Sequence, residues 1–230
     1  MNMVALKYTL IPILAVILGS VWATWRKPST GFVSAMQHLA AGVVFAAAAA
    51  EILPRVMHQA SPIATFIGGT LGVGVMLALK GLEGRTSGPM AMLGAIGIDI
   101  LIDGLVLGLA FIAGAKAGFL LTIALTLEVL FLGLTVTAEL GETMRSRAKI
   151  IALTAALALL LPIGVVVATP VATFSPVVIA GFLSFGLIAL LYLVTEELLA
   201  EAHEKPDSPL ISAMFFVGFL GLLLIEEILG

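Results

Sequence analysis

Gly94-Ala-Ile-Gly-Ile-Asp99-Ile-Leu-Ile-Asp103-Gly104-Leu-Val-Leu-Gly108 is an apolar run with two carboxylates near its middle. The next run, Leu125-Thr-Leu-Glu128-Val-Leu-Phe-Leu-Gly133, carries a third carboxylate at a similar depth. Neither stretch contains Lys or Arg. Runs this long and apolar cross a bilayer, and there an ionised carboxylate costs about 2.5–3.5 kcal/mol on insertion scales. Three unpaired carboxylates would cost about 8–10 kcal/mol. The compensating positive charge must therefore come from a bound metal ion, from protons or from a distant helix. Ionisable groups at that depth mark function by default.

The whole chain fits a membrane. It is 61% hydrophobic and 11% charged, outside the range of globular proteins. There is no cysteine, which excludes disulfides and thiolate metal sites. A net charge of −3 with no basic stripe gives no reason to expect a nucleic-acid partner. The run from Tyr8 to Thr24 has its stronger positive flank, Arg26-Lys27, after the apolar core rather than before it, so it reads as a retained first span.

A crossing helix needs about 20 apolar residues. Eight segments meet that length: 5–24, 31–53, 62–82, 89–113, 117–141, 149–169, 175–199 and 209–229. Breakers lie between them at Lys27-Pro28, Pro54-Arg55, Gly84 to Gly88, Gly114, Pro170, Pro176 and Pro206 to Pro209. The runs are too long, and too poor in strict alternation, for a closed barrel. Residues 1–230 form a single domain, all-α and integral to the membrane. The Ala46 to Ala50 stretch reads as close helix packing. Of the basic residues, Arg26, Lys27, Lys80, Arg85, Arg145, Arg147, Lys149 and Lys205 fall on one side; Lys7, Arg55 and Lys116 fall on the other. This positive-inside bias places both termini outside the cytoplasm. The expected location is the cell membrane, of the bacterial inner-membrane type.

Asp99 and Asp103 are spaced i, i+4 and share one helix face. The fourth span runs outward and the fifth returns, with Glu128 about ten residues, roughly 15 Å, from its outer end. All three acids fall near the midplane and can offer oxygens to one cation between the fourth and fifth helices. Gly104, Gly108 and Gly133 beside them allow close helix approach. Protonated, hydrogen-bonded carboxyls are the alternative state of such groups. Glu139 follows Glu128 on nearly the same face toward the cytoplasm, with Thr135 between them. Glu196, Glu197, Glu201 and His203 lie toward the inner end of the seventh span. Gln37 and His38 open the second span, and Glu51 closes it. Residues within a turn of a helix end also snorkel to the interface, so a transport role and a structural one both stand for them. The terminal Glu226-Glu227 pair reads as solvated.

These motifs resemble the ZIP (Zrt-/Irt-like) family of divalent metal transporters over nearly the whole chain. Eight spans with both termini outside is that family's layout. His38-Leu-Ala-Ala-Gly42-Val-Val-Phe-Ala-Ala-Ala-Ala-Ala-Glu51-Ile-Leu-Pro54 is similar to its second helix. Leu191-Tyr192-Leu-Val-Thr-Glu196-Glu197-Leu-Leu-Ala-Glu201-Ala-His203 resembles its Tyr-x-x-x-Asp-Glu-x-x-Pro-Glu-x-His stretch. The family's fourth-helix motif, His-Asn-x-Pro-Asp/Glu-Gly, stands here as Asp99-Ile-Leu-Ile-Asp103-Gly104. Its fifth-helix motif, His-Glu-x-Pro-Glu/His-Gly, stands as Glu128-Val-Leu-Phe-Leu-Gly133. Asp99 and Glu128 thus take the family's His positions. Ile100, Val129 and Leu132 replace ligands of a second metal, both motif prolines are absent, and the third loop lacks His.

The resemblance implies a non-enzymatic transporter with one mid-membrane metal site rather than two. Its metal residues would be Asp99, Asp103 and Glu128, with Glu197 and Glu139 along the path. No cofactor is expected; the divalent ion is the transported substrate, and the bilayer and a homodimer mate are the compatible partners. Carboxylates without imidazole suit Mn²⁺ or Mg²⁺, and Zn²⁺ and Fe²⁺ stay open. Two further readings keep the same spans: central carboxylates that carry protons or Na⁺, and a non-transporting homologue. An enzyme is disfavoured, because no His-Glu-x-x-His motif is present and two acids one turn apart make better co-ligands than an opposed dyad.

Overall fold

The structure is a computed structural model describing residues 2–59, 61–83, 89–203 and 208–229. Arg85 and Lys205, used in the loop-charge argument, lie outside the described residues, as does the third loop at 84–88. Every regular element among the described residues is helical. Eight helices are long and apolar enough to cross a membrane: α1 Met3–Trp25, α2 Thr30–His58, α3 Pro62–Gly81, α4 Met92–Ala113, α5 Ala115–Thr143, α6 Arg147–Thr173, α7 Pro176–His203 and α8 Pro209–Ile228. This is the architecture of a multi-pass membrane protein. Eight crossings return the chain to the face on which it began, here called the terminal face.

Short polar residues start several helices. Ser29 Oγ accepts from Phe32 N at 3.3 Å, Ser61 Oγ from Ala64 N at 3.2 Å, and Ser208 Oγ from Ile211 N at 3.3 Å. Each satisfies a backbone donor that the first helical turn leaves open. Pro62, Pro176 and Pro209 follow a serine at the first helical position, where a missing N–H costs nothing.

Two expected stops are not stops, and a third helix runs on past its expected end. α2 continues through Pro54 to His58, with a π-helical turn at Ala48–Ile52. Proline clashes with the carbonyl four residues back, here Ala50, which lies inside that widened turn. α6 passes Pro170 by tightening to 3₁₀ over Thr169–Thr173. α7 runs to His203 through a second π-helical turn, Leu193–Leu198.

The helices pack in four tight pairs: α1 with α5, α2 with α8, α4 with α6 and α3 with α7. Glycine makes each seam. A Cβ on Gly42 would overlap the Phe215 carbonyl of α8, and one on Gly218 the Leu39 carbonyl of α2. Gly104 and Gly164 stand in the same reciprocal relation to the Leu161 and Leu101 carbonyls, and a Cβ on Gly68 would overlap the Gly181 carbonyl. A Cβ on Gly133 would lie 2.7 Å from the Val16 carbonyl oxygen. Backbones this close gain packing and weak C–H···O contacts, which drive helix association in lipid. The pairs assemble into two groups, α1/α4/α5/α6 and α2/α3/α7/α8, which meet along α2–α5 and α4–α7. The alanines Ala46, Ala47 and Ala48 are buried in the main core, as their small size suggested.

Gly104, Gly108 and Gly133 do permit close approach, but not between α4 and α5. Gly104 and Gly108 receive α6, and Gly133 receives α1.

Candidate cation site

Asp99 and Asp103 lie on one face of α4 and line a small cavity of about 10 Å³. Its other walls are Met76 of α3, Ile102 and Val106 of α4, and Ala189, Leu190 and Leu193 of α7. That is space for about one water-sized particle. The cavity sits where the two helix groups meet, α4 facing α3 and α7, whereas the sequence pointed to the space between α4 and α5. Asp103 is 4% exposed and Asp99 is half-buried.

Glu128 of α5 is not part of the cavity wall. It is 5% exposed, and its Oε2 finds no hydrogen-bond partner among the described residues. The charges of Asp103, Glu197 and Asp99 all act on it. Four of the five expected site residues therefore share one electrostatic neighbourhood. Among the described residues, no Lys or Arg is among the groups acting on Asp103 or Glu128. A field of this sign in an apolar, low-dielectric surround attracts a cation strongly. Among the described residues, however, no three His, Asp or Glu side chains are gathered closely enough to hold a metal ion between them.

Two consecutive acids in the widened turn of α7 have different surroundings. Glu196 is exposed and pairs with Lys80 of α3 at 2.8 Å, and the Lys80 ammonium lies 5.5 Å from the Tyr192 ring. Glu197 is half-buried and acts on Glu128. Glu139 is exposed near the end of α5 and is not among the groups acting on Glu128.

The positions that would serve a second ion point into apolar packing. Ile100 and Val129 are buried, Val129 against Val16 and Ala158, and Leu132 packs on the core.

The polar residues at the start of α2 fasten it to α7. Gln37 Nε2 donates to Glu201 Oε2 at 2.7 Å, and Ser34 Oγ donates to the Ala202 carbonyl at 2.9 Å. The His38 and His203 rings meet edge to face, centroids 4.9 Å apart. Each ring's Nδ1 lies on a carbonyl oxygen four residues back, of Ser34 at 2.9 Å and of Leu199 at 2.6 Å, so Nδ1 carries the proton. Glu226 is not simply solvated, as expected from its terminal position. It is half-buried and accepts from Lys116 at 2.7 Å, because the Lys116 side chain at the start of α5 reaches the end of α8. Glu227 is exposed.

Met76, Ala189, Leu190 and Leu193 were not legible as site residues. They are ordinary apolar positions, and only the crossing of α3 and α7 over α4 makes them cavity walls.

No family model matches this chain, and no curated protein does.

Proposed function

We propose that this protein is a ZIP-like transporter that carries a divalent cation, Mn²⁺, Zn²⁺ or Fe²⁺, toward the cytoplasm through one mid-membrane site. The observation that carries this reading is the cavity of about 10 Å³ at the boundary of the two helix groups, lined by Asp99 and Asp103. Buried Glu128 and half-buried Glu197 add to its negative field. Asp99 and Asp103 would be the first ligands. Glu128 would add a third carboxyl oxygen from α5, and Glu197 would receive the ion on the inner side. Glu139, farther along α5, would act on release. Apolar packing at Ile100, Val129 and Leu132 supports one ion rather than two. A site between two bodies can face either side as one rocks against the other. The terminal face would then be extracytoplasmic, in a bacterial inner membrane.

A second reading has a specific observation behind it. No three-ligand group is gathered among the described residues, and protons or Na⁺ need fewer fixed ligands. Proteoliposome uptake and thermal stabilisation, each measured with Mn²⁺, Zn²⁺, Fe²⁺, Cd²⁺ and Mg²⁺, separate the two. Metal transport predicts that at least one ion is taken up and raises the melting temperature, because a ligand of the native state stabilises it. If all five leave both signals unchanged while an imposed Na⁺ or proton gradient dissipates, the metal reading is wrong.

A further inference from the structure

The terminal face carries a polar cluster that the cation site does not use. Arg55 of α2 reaches out of its own group. Its Nη1 donates to the Ala113 carbonyl at the end of α4, and its guanidinium lies so close to Gly114 that a Cβ there would stand 2.8 Å from Nη2. On the other side Arg55 Nη2 is 3.7 Å from Oε2 of buried Glu51, one turn back on α2. At the same face, Lys116 of α5 pairs with Glu226 of α8 at 2.7 Å, with side chains 32% and 31% exposed. The two pairs form one network, since the charges of Arg55, Lys116 and Glu226 all act on Glu51.

Both links cross the boundary between the helix groups. Arg55 joins α2 to α4, and Lys116–Glu226 joins α5 to α8. The fully buried side-chain bonds run differently. Thr137 Oγ1 donates to Ser20 Oγ within one group, and Ser34 Oγ donates to the Ala202 carbonyl within the other. At the opposite face, Lys27 and Glu142 make a pair whose side chains are 72% and 67% exposed, a setting in which ion pairs contribute little. Of the ion pairs named here between the groups, the half-buried one stands at the terminal face and the exposed one at the opposite face. The Ala113 carbonyl that Arg55 holds ends α4, the helix that carries Asp99 and Asp103.

We propose that the Arg55–Ala113 carbonyl contact and the Lys116–Glu226 ion pair form a latch that closes the terminal face over the midplane acids. The latch must open before a cation can reach Asp99 and Asp103 from that side. This rests on the reading that those acids form a site reached alternately from two sides. Gly114 is part of the device: its missing side chain lets the guanidinium reach the carbonyl that ends α4.

The chain has no cysteine, so a single introduced thiol can report access. Val106→Cys puts one in the cavity wall, and a membrane-impermeant thiol reagent is added to vesicles on the terminal-face side only. Arg55→Ala with Lys116→Ala should raise the labelling rate from that side at least about 10-fold. Lys116→Glu alone should raise it several-fold, and adding Glu226→Lys should bring it back, which a merely misfolded variant would not do. Unchanged labelling in Arg55→Ala/Lys116→Ala, or no recovery in the charge-swapped pair, overturns the latch. The readout needs no transported ion. Faster labelling with no cation uptake would keep the latch and remove the transport reading; uptake with unchanged labelling would do the reverse.

Discussion

The seams inside each helix group differ in kind from the boundary between the groups. Inside, backbones meet: Gly42 lies on Phe215, Gly104 on Leu161 and Gly68 on Gly181, with no room for a methyl group. At the boundary, side chains intervene. Gly186 of α7 faces Val106 and Leu109 of α4 at ordinary spacing for the most part, with a Cβ there 3.2 Å from Val106 Cγ1. The same boundary holds the acid-lined cavity and, at one end, the polar latch. Interlocked backbones cannot slide without separating, whereas side chains can exchange neighbours. The molecule is therefore built stiff within groups and adjustable between them, and its charged chemistry sits on the adjustable surface.

The largest effect should come from spoiling a seam. Gly42→Ala and Gly104→Ala each push a methyl into a facing carbonyl, and overpacking of this kind costs about 1–3 kcal/mol. Both variants should lose monodispersity in detergent and melt well below the native protein. A melting temperature equal to native would mean that the seams are looser than the backbone spacing implies.

The acids should matter to ligand binding. Asp99→Asn, Asp103→Asn and Glu128→Gln each keep shape and remove charge, so each should weaken equilibrium cation affinity at least about 10-fold, roughly 1.4 kcal/mol, with Asp103→Asn the most damaging. Glu139→Gln, away from the acids that act on Glu128, should leave affinity nearly unchanged and slow uptake. Isothermal titration with Mn²⁺ or Cd²⁺, paired with initial uptake rates, decides this. Normal binding and uptake by Asp103→Asn would remove the boundary cavity from the mechanism.

Smallest of all should be the boundary glycine. Gly186→Ala should cost about 0.5–1 kcal/mol, because Val106 can yield, and Gly74→Ala, with nothing within 4 Å, should stay within about 0.5 kcal/mol. Thermal melts of the two, set beside Gly42→Ala, test the contrast directly. If Gly186→Ala is as harmful as Gly42→Ala, the boundary is as rigid as the seams and the two-body picture fails.

Much of this was visible in the residues. Apolar runs near 20 residues located all eight helices, because crossing a bilayer leaves a length signal that needs no partner to be read. The i, i+4 spacing of Asp99 and Asp103 placed them on one face. The partners of that face were not visible: hydropathy is blind to which helix packs on which, so the cavity appeared against α5 when it lies against α3 and α7. The same blindness assigned Gly104 to the acids, although it serves α6. Pro54 misled as a stop because a widened turn upstream leaves no mark in composition. Glu226 read as solvated because the lysine that engages it sits 110 positions earlier.

The cavity wall is shared by α4 and α7, and these are made at different times. α7 is complete roughly 90 residues after α4 ends, which at about 5–20 residues per second is an interval of about 5–20 s. Through that interval Asp99 and Asp103 have no complete cavity to face, and for most of it α6, which closes on Gly104, is itself still being made. The segment must enter the bilayer on the strength of its own leucines and isoleucines. Its mean hydropathy of 2.2, held despite two aspartates, is what newborn α4 needs to wait in lipid for the helices that will give its charges a purpose.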